Sequence, residues 1–128
     1  MKDDGNVRFK AQKYKEAEGF YRDALAHLDT VKNDNKELQD LKKTILLNLS
    51  VVTNNTGDYK ETLINCSKAL DIDNKVVKAY YLRSTANMKL HAYDEAISDI
   101  KEAIKLSPND KKLREEFEAI KKARTEYN

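Results

Sequence analysis

With 128 residues, three glycines, one proline and 36% charged side chains, the chain has the composition of one domain made of solvated helices rather than strands and turns. Twenty-four Lys and Arg against 22 Asp and Glu leave a formal charge of +2 with the signs interleaved, which argues against the basic stripe of a nucleic-acid binder. No apolar run approaches the roughly 20 residues of a membrane span, no signal-peptide core is present, and the lone Cys66 rules out an internal disulfide framework, so a reducing, cytoplasmic setting is expected.

In chain order, "KDDGNVRFK" opens a first helix, and a turn at "KAQK" is expected to separate it from a second, "YKEAEGFYRDAL". In "KNDNKELQDLK", residues 32–42, a loop near Asn33 to Asn35 precedes an extension of helical spacing that runs into "KKTILLNLS". The turn "NTGD" leads to "YKETLINCSKAL"; "VKAYYLRSTANM", the turn "KLHA" and "YDEAISDIKEAI" follow, with Pro108 as a stop after Leu106. Leu113, Phe117 and Ile120, at i, i+4, i+7 spacing, give the last stretch one apolar face and predict a seventh helix.

Three of these segments are near-copies. Aligned on Tyr14, Tyr59 and Tyr93, they place Ala17, Thr62 and Ala96 at one common position, Ala24, Ala69 and Ala103 at another, and Gly5, Ser50 and Ser84 at a third, upstream one. Small residues there let two helices approach closely, while Tyr21, Cys66 and Ile100 fill the space between pairs. The second and third copies lie 34 residues apart, the period of the tetratricopeptide repeat. The expected fold is all-α: three helix-turn-helix repeats and a seventh helix in a right-handed superhelical solenoid, with repeat one at 1–31, the inserted connection at 32–42, repeat two at 43–76, repeat three at 77–110 and a capping helix at 111–128. Thr53, Thr62 and Asn87 are polar where such repeats are commonly apolar or small, as is Arg8. In this frame the first helix would begin before Met1, as in a piece of a longer protein.

Little in the residues suggests catalysis. His27 and His91 have no second ligand at helical spacing, so no metal is implied, and three isolated glycines make no phosphate loop, so no cofactor is expected. Cys66 falls on the inward face of its helix as a structural thiol. Three glycosylation-type triplets are read as unused. The chain reads as a binding surface.

In a solenoid of this kind the first helix of each pair lines the concave groove. Lys2 and Asn6 share one face of the first helix, Asn48 lies on the second such helix and Lys78 on the third. "KDDGN", "LLNLS" and "VKAYY" resemble the carboxylate-clamp tetratricopeptide domains of chaperone cochaperones, and the long connection, "NCSKAL" and the last helix are most similar to large FKBP-type immunophilins. The resemblance covers essentially the whole chain. It implies that Lys2, Asn6, Asn48 and Lys78 bind the C-terminal Glu-Glu-Val-Asp tail of heat shock protein 90 or 70, the ammonium groups supplying charge and the amides oriented donors. It also implies a parent that is a peptidyl-prolyl cis-trans isomerase, this chain being its adaptor and not itself an enzyme. The family usually places an arginine where this chain has Leu82, so the clamp is incomplete, with Leu82 expected to face the groove under partial apolar cover. Phe9, Lys10, Tyr81, Arg83, Met88 and Lys89 lie near the same stripe as further candidates. A scaffold for a different peptide partner is the alternative.

Overall fold

The computed structural model describes the backbone of residues 2–31 and 35–127, and the side chains of residues 12–31 and 35–127. Among these residues there are six helices and no strand: α1 (Lys2–Asp29), α2 (Lys36–Thr56), α3 (Tyr59–Ile72), α4 (Val77–Lys89), α5 (Tyr93–Leu106) and α6 (Lys111–Tyr127). Helix α2 packs on α3, and α4 on α5, as two consecutive pairs; α2 also touches α4, α1 covers α2, and α6 closes the far end against α5.

The two later turns show why these pairs form. Gly57 ends α2 at φ 85°, and the Asp58 N–H reaches back to the Thr53 carbonyl at 2.8 Å. His91 takes φ 63° after α4, and the Ala92 N–H bonds the Asn87 carbonyl at 2.8 Å. Both are left-handed residues closing the same six-to-one hydrogen bond, the device that reverses a chain at a helix C-terminus. The repeat's small residues then meet: Ser50, Thr62, Ala69, Ser84, Ala96 and Ala103 are all fully buried.

The first expected turn is absent. Helix α1 runs unbroken through "KAQK", so six helices stand where seven were predicted. The physical reason lies in the residues: Lys, Ala and Gln are strong helix formers, and this segment carries neither glycine nor another residue in a left-handed conformation. An unbroken α1 cannot fold its first half back over its second. Accordingly Ala17 and Ala24, whose counterparts in the other repeats are fully buried, are only half-buried, and Phe20 is 71% exposed.

The inserted connection matches expectation where it is described. Asn35 caps α2, its side-chain oxygen accepting from the Leu38 N–H at 2.8 Å, and α2 is accordingly long. Its polar departures from the repeat satisfy one another: Thr53 and Thr62 share a buried 2.7 Å hydrogen bond between α2 and α3. The last helix also behaves as the spacing predicts, with Leu113 and Ile120 buried against Ala96, Ile97, Ile100 and Ala103, and Phe117 packed beside them.

Candidate functional site

Helix α2 contacts α4, and α6 reaches α4 through Lys112, whose ammonium lies over the Tyr81 ring. Side-chain direction follows from what each helix buries elsewhere. Ala79, Ser84, Ala86 and Asn87 of α4 are buried, and the Arg83 and Asn87 side chains reach α5. That leaves Lys78, Tyr81 and Thr85, at i, i+3 and i+7, on a separate stripe, with Lys78 exposed and the other two half-buried.

Asn48 of α2 is half-buried and holds the register in its repeat that Leu82 holds in the next. Of the four expected clamp residues, Asn48 and Lys78 are thus on described helices α2 and α4, which touch. The side chains of Lys2 and Asn6, like those of Phe9 and Lys10, lie outside the described residues.

Two expectations about α4 need correction. Leu82 is only 8% exposed, so it is a packing residue rather than a groove residue under partial cover. Arg83 is committed to the opposite side. Its Nε and Nη2 donate to the two Asp99 oxygens at 2.9 and 2.7 Å, and its Nη1 donates to Ser67 Oγ at 3.1 Å. Asn87 Nδ2 donates to the same Asp99 carboxylate at 3.3 Å. This charge-assisted network ties α4 to α3 and α5 and commits the Arg83 guanidinium to Asp99 and Ser67, away from the Lys78 stripe. Met88 packs partly into the C-terminal core.

Tyr81 and Lys89 have neighbours that the sequence reading did not connect to the site. The Lys112 ammonium of α6 lies 4.9 Å from the Tyr81 ring centroid. Glu116, one turn further along α6, has its carboxyl pushed above its ordinary range by burial, an effect partly offset by the positive charges of Lys112 and Lys89. The i, i+4 spacing of Lys112 and Glu116 was the available signal, since it puts both on one edge of α6. Phe117 marks the other edge, with Lys101 of α5 5.9 Å from its ring.

Nothing among the described residues is arranged for chemistry. No group of three His, Cys, Asp or Glu side chains there could hold a metal ion, and no helix is long and apolar enough to cross a membrane. Burial pushes the Cys66 thiol up to about 11, with Ser50 and Arg83 pulling weakly the other way, so the reactive thiolate is scarce at neutral pH.

The tetratricopeptide repeat family model matches residues 77–110, which are α4, α5 and the segments flanking them. The C-terminal repeat-containing domain of a Plasmodium falciparum FK506-binding protein superposes with a TM-score of 0.81 at 30% identity, covering 98% of this chain and 87% of that one. The chain belongs to the tetratricopeptide-repeat family. A domain of this family is a protein-interaction module, as the residues led one to expect. Two other solved structures are similar. The C. elegans myosin chaperone UNC-45, in complex with an Hsp90 peptide, has a TM-score of 0.74 at 32% identity over 96% of this chain and 13% of its own. The second repeat domain of human RPAP3, in complex with the HSP70 peptide SGPTIEEVD, has a TM-score of 0.72 at 27% identity over 94% of this chain and 91% of its own. Serine/threonine-protein phosphatase 5 of Rattus norvegicus is 29% identical over 122 residues, 95% of this chain. The chain spans 22% of that curated relative's length.

Proposed function

We propose that this tetratricopeptide domain is a cochaperone adaptor that binds the acidic C-terminal tail of heat shock protein 90 or 70, ending in Glu-Glu-Val-Asp. The observation that carries the reading is the pairing of an exposed Lys78 on α4 with a half-buried Asn48 on the adjoining α2. A terminal aspartate presents two carboxylates, and an ammonium beside an amide meets them with charge and directed N–H donors. Each charge-assisted hydrogen bond of this kind contributes about 1.5–3 kcal/mol. The resemblance alone adds Lys2 and Asn6 to the proposed clamp, since their side chains lie outside the described residues. Peptide complexes of UNC-45 and RPAP3 domains support the same ligand class. The FK506-binding relative supports a parent protein of the FKBP type; a prolyl-isomerase domain in that parent and a cytoplasmic setting are part of the proposal and rest on the resemblance.

One observation favours a second reading, a scaffold for a different peptide. Leu82 is buried where the clamp family usually has an arginine, so the charge expected there is absent. Substituting Lys78→Glu separates the two. The clamp reading expects peptide binding to vanish while helicity and melting temperature stay put, because Lys78 is exposed. A mutant that binds a Glu-Glu-Val-Asp peptide as well as the parent does would remove Lys78 from the site.

A further inference from the structure

Resting on the acidic-tail reading, we infer that Lys112 of α6 supplies the cation that Leu82 does not, and binds a side-chain carboxylate of the peptide lying along α4. The stripe of α4 that carries Lys78 also carries Tyr81, one turn on, and the Lys112 ammonium sits over that ring at 4.9 Å. Lys112 therefore projects toward the same side of the domain as Lys78, from a different helix.

Its placement is prepared in advance. Asp110 accepts a hydrogen bond from the Lys112 backbone N–H at 3.0 Å, which pins the first turn of α6. The Tyr81 face then holds the end of a flexible side chain, so less rotamer freedom is lost when a carboxylate arrives. Among the described residues the Lys112 ammonium is in no ion pair within 4.0 Å, whereas Lys42, Lys43 and Lys121 each are. A cation resting on a ring can accept a carboxylate without first breaking a salt bridge. Glu116 lies near both Lys112 and Lys89, and its single charge is outweighed by theirs, which leaves this edge positive.

Calorimetric titration with a peptide ending in Glu-Glu-Val-Asp tests the assignment, using the parent chain, Lys112→Gln, Lys112→Arg and Lys78→Glu. The inference expects Lys112→Gln to weaken binding about tenfold, to flatten its salt dependence, and to be rescued by Lys112→Arg, which keeps both the charge and the ring contact. Replacing the peptide's glutamates by glutamine should make the parent and Lys112→Gln bind alike. If Lys78→Glu abolishes binding but Lys112→Gln leaves affinity and salt dependence unchanged, the Lys112 inference is overturned and the clamp reading survives. If the parent does not bind the peptide, the acidic-tail reading fails and takes this inference with it; if Lys78→Glu binds as the parent does, Lys78 leaves the site and the inference, which places Lys112 beside it, is overturned. A melting-temperature loss in Lys112→Gln without any loss of affinity assigns Lys112 to packing on Tyr81 and also overturns it.

Discussion

Repeats two and three are the same helix pair written 34 residues apart, yet they solve the same interface differently. In repeat three, Arg83, Asn87 and Asp99 form a charged network between α4 and α5. The matching positions of repeat two are Leu49, Thr53 and Asn65. Leu49 is buried and apolar, Thr53 turns to Thr62, and the Asn65 side chain, only 3% exposed, keeps an Nδ2 with no hydrogen-bond partner. The small residues that set the distance between helices are common to both pairs, while the polar residues around them are interchangeable only as complete sets. All three members of the set differ in repeat two, which carries the Asn65 amide where repeat three has the Asp99 carboxylate that answers Arg83.

Breaking the complete set should cost most. Asp99→Ala leaves the Arg83 guanidinium and the Asn87 amide without their acceptor in a partly buried place. It should lower unfolding free energy by about 3 kcal/mol, read from the urea midpoint. An unaltered midpoint would mean that the network contributes nothing net.

Leu82→Arg comes next. Sequence reasoning makes this a restored clamp; the 8% exposure of Leu82 makes it a core substitution that must bury or extrude a guanidinium. A loss of about 2 kcal/mol in stability with no gain in peptide affinity is expected, tempered by the reach of a long side chain toward solvent. A folded mutant of parental stability that binds the tail more tightly would return Leu82 to the groove.

The smallest change runs the other way. Asn65→Leu removes the unpartnered amide from the repeat-two interface and should be neutral or raise stability by up to about 1 kcal/mol, because the added branch must still fit. A clear loss of stability would show that the amide has a partner in solution.

These contrasts also explain what could be read from residues alone. The period and the small positions are legible, because each obeys a local rule of spacing or size. The repeat alignment puts a turn at "KAQK", but no residue there takes the left-handed conformation that Gly57 and His91 supply, and α1 continues through it. Arg83 looked like a groove cation because its partner, Asp99, lies 16 residues away across a turn. Only the repeat register could have brought the two together. The clamp register puts Leu82 in the groove, whereas its burial depends on how α4 is rotated against its neighbours. Lys112 is one of several basic residues on α6. What singles it out is the ring of Tyr81, which belongs to another helix.

The central claim is that Asn48 of α2 and Lys78 of α4 mark a face that recognises a chain-terminal carboxylate. Titrating one Glu-Glu-Val-Asp peptide as the free acid and as its C-terminal amide tests it most directly, since only that carboxylate differs. The account predicts that the free acid binds and that amidation weakens it by about tenfold or more, the equivalent of one charge-assisted hydrogen bond. Equal affinity for the two peptides would contradict it.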